Sequence, residues 1–157
     1  MHCTLDIEAS GFGHRGYPIE VGYVREDGQS WCTLIRPQPG WTHWDAAAEA
    51  LHGISRAALE RHGRDPAAVC RRLNEALADR TVYCDGWAHD YPWLARLYDA
   101  ADMLPNFRLE TVQRLLDERS RGRLDPALQR LRATLGRHRA SADARVLQQA
   151  LAHSLGG

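Results

Sequence analysis

The sequence predicts an α/β fold built on a mixed sheet, and three observations predict it. Ile19, Val21 and Tyr23 alternate with Glu20, Gly22 and Val24, the pattern of a strand whose side chains point in turn to opposite faces. Asp27-Gly28 comes next as a tight-turn signal and joins this strand to a second apolar stretch, Trp31-Cys32-Thr33-Leu34-Ile35. From Thr42 the period changes to that of amphipathic helices, interrupted by the short, β-prone Thr81-Val82-Tyr83-Cys84. Strands first, then helices alternating with strands, give a mixed sheet sandwiched by helices.

The first strand carries Thr4-Leu5-Asp6-Ile7-Glu8-Ala9-Ser10-Gly11. Side chains alternate along a strand, so Asp6 and Glu8 emerge together while Leu5 and Ile7 point the other way. A glycine-containing turn over 12–16 leads into a half-buried second strand, and Pro37 and Pro39 end the third. The front of the chain is thus an antiparallel meander with two acids on its first strand. A short helix over 46–51 stops at Gly53, and Ser55 can cap another over 56–62. Asp65-Pro66 opens a helix reaching about residue 78, with Val69, Leu73 and Leu77 on one face. The strand at 81–84 ends at Asp85-Gly86. Pro92 then starts a helix with Trp93, Leu94, Leu97 and Tyr98 inward, and Phe107-Arg108-Leu109 forms a fifth short strand. Helices are expected over 110–118, 126–135 and 142–155, the last capped by Ser141.

The chain has 157 residues, 44% of them hydrophobic and 25% charged, which suits one globular domain over 1–157. Twenty basic residues balance twenty acids, so no global field binds nucleic acid indiscriminately. The distribution is uneven: half of the arginines lie beyond residue 107, with only five of the acids. An acidic front would then face a basic rear, and Arg137 or Arg139 is expected to contact a substrate phosphate. Cys3, Cys32, Cys70 and Cys84 are widely spaced without a Cys-x-x-Cys, which argues against structural zinc or a disulfide framework. No apolar run approaches ~18 residues, and a charge already stands at Asp6. We expect no membrane span or signal peptide, and a cytoplasmic protein.

Three stretches carry chemistry. The paired carboxylates Asp6 and Glu8 suit hard divalent cations such as Mg²⁺ or Mn²⁺, and two such ions about 3.5–4 Å apart can clamp a phosphodiester being cut. The second stretch is Asp85-Gly86-Trp87-Ala88-His89-Asp90, at the C-terminal end of the fourth strand, where open α/β sheets bind ligands. Asp90 can be a ligand or the cap of the helix that Pro92 opens, and Asp85 is an alternative ligand. The third is His138-Arg139-Ala140-Ser141-Ala142-Asp143-Ala144, which puts Asp143 in a first helical turn and His138 on the preceding loop. A histidine there can take a proton from water near neutral pH. His89 is a competing base, although its place on the turn favours a surface role. Trp87 is a candidate for base stacking, and Trp93 belongs to the core by its helical phase.

With these residues in order, the chain resembles the DEDDh family of 3′-to-5′ exonucleases, which contains polymerase proofreading subunits, ribonuclease T and oligoribonuclease. The matching residues are Asp6-Ile7-Glu8 with Ser10-Gly11, Leu51-His52-Gly53-Ile54-Ser55, Asp90 with Trp93-Leu94, and His138 with Asp143-Ala144. The resemblance implies a ribonuclease H-like fold with a five-stranded mixed sheet flanked by helices. It implies Asp6, Glu8, Asp90 and Asp143 as ligands of two Mg²⁺ or Mn²⁺ ions, and His138 as general base. Ala9, Ser10, Gly11, His52 and Ile54 would bind the terminal nucleotide. The implied reaction releases nucleoside 5′-monophosphates from the 3′ ends of single-stranded RNA or DNA, and ribonuclease T-like relatives leave a homodimer open. Gly86 and His89 depart from the family, many of whose members carry Asn and an aromatic residue there. That departure is the support for an alternative reading, a nucleic-acid-binding or partner-recruiting domain with little or no turnover.

Overall fold

The computed structural model describes residues 1–134 and 138–156. Its sheet is arranged about the acidic strand. β1 (Cys3–Ala9) pairs antiparallel with β2 (Pro18–Val24) on one side and parallel with β4 (Thr81–Cys84) on the other. β3 (Ser30–Leu34) and β5 (Arg108–Thr111) complete the order β3-β2-β1-β4-β5. Parallel pairs need crossovers, and helices supply them. α1 (Ala46–His52), α2 (Arg56–His62) and α3 (Pro66–Leu77) connect β3 to β4, and α4 (Trp87–Ala101) connects β4 to β5. A 3₁₀ turn (Val112–Leu115), α5 (Glu118–Arg132) and α6 (Ala140–Leu155) complete the chain.

Alternation along the strands sorts the two faces. Cys3, Leu5 and Ile7 join Ile19, Val21 and Tyr23 in the main core, against Val69, Leu73, Leu77, Leu94 and Leu97 from α3 and α4. Each such aliphatic side chain, when fully buried, contributes about 1.5–3 kcal/mol. On the other face Thr4 donates from Oγ1 to the carbonyl of Ala144 in α6, at 2.7 Å. Thr4, Asp6 and Glu8 share that face by period, so the two acids point toward the last helix. A second apolar cluster, including Val112, Leu124, Leu128, Val146 and Leu151, holds α5 to α6.

The second strand is buried along its whole length rather than half-buried, because α6 covers the face carrying Glu20 and Gly22. α4 begins at Trp87, before Pro92. The Gly86 carbonyl already accepts from the N–H groups of His89 (2.9 Å) and Asp90 (2.8 Å), so helical bonding is under way and Pro92 lies inside the helix. Asp90 is therefore a residue of the helix's first turn and not its cap. No helix spans 110–118: β5 runs to Thr111, whose side chain caps the 3₁₀ turn. α5 starts at Glu118, capped by Asp117, so Pro126 is again internal. The expected end of that helix at residue 135 lies outside the described residues. α6 starts at Ala140, and its first N–H is taken by the carboxylate of Glu20 at 2.8 Å rather than by Ser141.

Candidate active site

Three elements meet at the C-terminal ends of β1 and β4. β1 supplies Asp6 and Glu8, and a register shift between Glu8 and Ala9 breaks the ladder as the strand leaves the site. Such irregularities bend a strand and re-aim the residues beyond them. The first turn of α4 supplies Asp90, 4% exposed, and the first turn of α6 supplies Asp143, 5% exposed. Glu8, His138 and Asp143 each offer a ligand atom within 4.8 Å of the others. The imidazole Nδ1 of His138 lies 3.5 Å from Oδ2 of Asp143, and the backbone N–H of His138 donates to the Leu51 carbonyl at 3.2 Å.

The electrostatics come from crowding these carboxylates in a partly dry site. Burial, then Asp90, Glu8 and Asp143 in turn, hold the Asp6 carboxyl well above its usual range. Glu8 is pushed up to about 8 by burial, by Asp143 and by Glu20. Asp90 rises to about 7 by burial and the nearby Asp85, partly offset by hydrogen bonds from the Cys84 thiol and the Gly86 backbone. Carboxylates in this state need protons or cations. Oδ1 of Asp143 is buried without a hydrogen-bond partner. An all-oxygen acidic set with an unpartnered buried oxygen fits a hard divalent ion.

One cation of the chain's own is already present, and no motif in the sequence marks it. Arg132, at the end of α5, donates from Nη2 to Asp85 at 3.0 Å, with Nε 4.0 Å from Oδ1 of Asp143. Asp85 is thus paired with an arginine, while Asp90 is the acid whose charge acts most on Asp6. Nothing local distinguishes Arg132 from the other arginines of α5.

A cleft of about 360 Å³ opens beside Glu8 and His138 and is walled by Ala9, Gly11, Phe12, Ala48, Leu51, His52 and Trp93, among others. Gly11 is required where it stands, because a Cβ would lie 2.6 Å from the His43 ring and 2.8 Å from Cβ of Asp45. His52 is 3% exposed, and its Nδ1 accepts from the N–H of Ile54 at 3.0 Å. Burial lowers its pKa, so the neutral ring carries its proton on Nε2, which is buried and faces the Ala9 backbone. Two expected substrate contacts are not on this wall. Ser10 is fully buried: its N–H donates to Tyr17 O, its Oγ accepts from Tyr17 N, and Oγ also pairs with His43. Ile54 is 5% exposed and packs in the core.

Phe12, His89 and Trp93 form an aromatic group at the cleft, with Phe12–His89 centroids at 4.8 Å and His89–Trp93 at 5.8 Å. Phe12 is 67% exposed, and no sequence motif points to it. His89 faces these rings, and Trp93 lies at the core's edge with one side on the cleft. Trp87 is stacked on Tyr91 at 4.9 Å, both on the exposed side of α4. Arg139 is tied to Glu20 through both Nε and Nη2. Arg137 lies outside the described residues.

No family model and no curated protein matches this sequence. Solved structures do. The zinc-bound E. coli exonuclease I complex with single-stranded DNA aligns at a TM-score of 0.67 and 14% identity, over 98% of this chain and 40% of that one. The E. coli exonuclease I complex with a dA16 oligonucleotide gives 0.66 and 15%, over 98% and 41%. An apo exonuclease I gives 0.68 and 14%, over 98% and 42%. The fold is ribonuclease H-like. The chain spans about two fifths of the length of these exonuclease I chains, so the likeness extends to the architecture. Among the described residues, no helix is long and apolar enough to cross a membrane.

Proposed function

We propose that this chain is a metal-dependent 3′-to-5′ exonuclease domain that removes nucleoside 5′-monophosphates from single-stranded RNA or DNA. The observation that carries the reading is that Asp6, Glu8, Asp90 and Asp143 come from three separated stretches to lie close to one another, with His138 beside Glu8 and Asp143. The exonuclease I architecture, seen elsewhere with single-stranded DNA bound, supports the substrate class.

Asp6, Glu8, Asp90 and Asp143 would hold two Mg²⁺ or Mn²⁺ ions. Bound there, the ions supply Lewis-acid stabilisation of the attacking and leaving oxygens. The remaining work belongs to the protein. His138, half-exposed at the mouth and 3.5 Å from Asp143, takes the proton of the attacking water. His52 and the Ala9 backbone beside it line the place for the terminal nucleotide, and Ala48 and Leu51 give the base an apolar wall. Phe12, with His89 and Trp93 behind it, offers a ring for stacking, an interaction worth about 1–3 kcal/mol per base.

Substituting Asp6→Asn tests the site. Cleavage should disappear while the fold is kept, and without metal the variant should melt higher than wild type because one member of a repelling group has lost its charge. Wild-type turnover in the Asn variant would refute the assignment.

A further inference from the structure

Outside the acids and His138, a buried carboxylate stands beside Glu8 and has no part in the proposed chemistry. Glu20 sits in the middle of β2, 1% exposed, directly across the ladder from Glu8. A buried carboxylate persists only where its oxygens are satisfied. Those of Glu20 accept from Nε of Arg139 at 3.0 and 3.1 Å, from Nη2 of Arg139 at 2.6 Å, and from the Ala140 N–H at 2.8 Å. All of these donors belong to the two residues after His138 and precede Asp143 by three or four positions. On the other side, the His138 N–H is held by Leu51 O.

Close contact makes the clamp specific. Gly22, two residues along β2, meets the same turn so tightly that a Cβ would lie 2.7 Å from Ser141 N and 2.8 Å from the Ala140 carbonyl carbon. The N-terminus of α6 therefore rests on bare strand backbone, with the Glu20 side chain gripping its first residues. Arg139 and the Ala140 N–H cannot satisfy Glu20 unless α6 enters at this angle, and that entry fixes where His138 and Asp143 stand.

We propose that Glu20 is a positioning residue: through Arg139 and the Ala140 N–H it sets the placement of Asp143 against Glu8 and of His138 above them. This rests on the proposed exonuclease reading for its rate consequences, but not for its consequences on metal binding. Outer residues that orient metal ligands typically change affinity or activity by about 10–100-fold when replaced.

The test uses the whole chain and the variants Glu20→Gln, Arg139→Gln and their double, each measured by Mn²⁺ calorimetry, thermal melting and single-turnover cleavage of a labelled single-stranded oligonucleotide. Gln keeps an acceptor for Ala140 N–H but loses the charged clamp. Glu20→Gln should weaken Mn²⁺ binding and slow single-turnover cleavage at saturating metal by roughly 10–100-fold each, with little change in oligonucleotide affinity. The double variant should be no worse than the poorer single one, because both act through one contact. Arg139→Gln, which leaves the bond to Ala140 intact, carries the test if Glu20→Gln does not fold. Should no form of the chain cleave, the Mn²⁺ isotherms still decide: a weakened isotherm upholds the clamp while the exonuclease reading falls. Wild-type Mn²⁺ affinity in both single variants, or losses that simply add, would overturn the proposal.

Discussion

His138 and His89 both stand near the carboxylates, and their surroundings assign them different work. His138 lies 3.5 Å from Asp143 with half of its side chain exposed, while His89, also exposed, lies against the rings of Phe12 and Trp93. General-base help is worth about 10²–10⁴-fold. His138→Ala should lose that much in single-turnover rate and alter the acidic limb of the pH profile, while Mn²⁺ still binds. His89→Ala should weaken oligonucleotide binding, with the rate at saturation little changed. A large rate loss in His89→Ala beside a near-normal His138→Ala would reverse the assignment. The residues with a local signal were readable in the sequence: Asp6 and Glu8 from their two-residue spacing on a strand, and Asp143 from its place near a helix start. Arg132 and Phe12 were not, because an arginine late in an arginine-rich helix and a phenylalanine in a turn look the same locally whether or not they face a site.

The helices that carry Asp90 and Asp143 start where backbone and side-chain acceptors take up their first N–H groups. α6 starts two residues before the position that Ser141 suggests because its cap is Glu20, 120 positions earlier. α4 starts before Pro92 because the Gly86 carbonyl accepts two N–H groups, and the sequence shows the proline but not that bond. The short strand at 81–84 was legible because β-prone residues stand before a clear turn signal, whereas the fifth, expected at Phe107-Arg108-Leu109, runs over Arg108–Thr111 into residues expected to be helical. Gly22 was a missed signal, since a glycine inside an otherwise apolar strand often marks a close backbone approach. Gly22→Ala should destabilise the chain by about 1–3 kcal/mol, the usual cost of overpacking, as a lower urea midpoint with the slope unchanged. An unchanged midpoint would mean that α6 can retreat from β2 without penalty.

For the molecule as a whole, the crowded carboxylates tie stability to pH and to metal. Glu8 rises from its ordinary 4.5 to about 8 and Asp90 from 3.8 to about 7. Both folded values lie above the unfolded ones, so between about pH 4 and 8 the folded chain holds more protons, and metal-free stability falls as pH rises through that window. In chelator, the melting temperature should drop by several degrees from pH 5 to pH 8, each kcal/mol moving it by about 2–4 °C in a chain of this size. Saturating Mn²⁺ should remove the decline by taking the place of the protons. A melting temperature that rises with pH in chelator would contradict the repulsion on which the two-ion reading depends. The α/β mixed sheet was legible from the order of strand and helix periods and the ribonuclease H-like fold from the family resemblance, whereas the pairing of Asp85 with Arg132 required the packed structure. These carboxylates are proposed to cut single-stranded nucleic acid from its 3′ end. The most direct measurement incubates 5′-labelled RNA and DNA oligomers of one sequence, and a circular single strand, with the chain in Mg²⁺, Mn²⁺ or chelator. The expected result is a ladder of labelled products shortened one nucleotide at a time in either metal, none in chelator, and an intact circle. Opening of the circle, or no shortening of either oligomer in any metal, would contradict it.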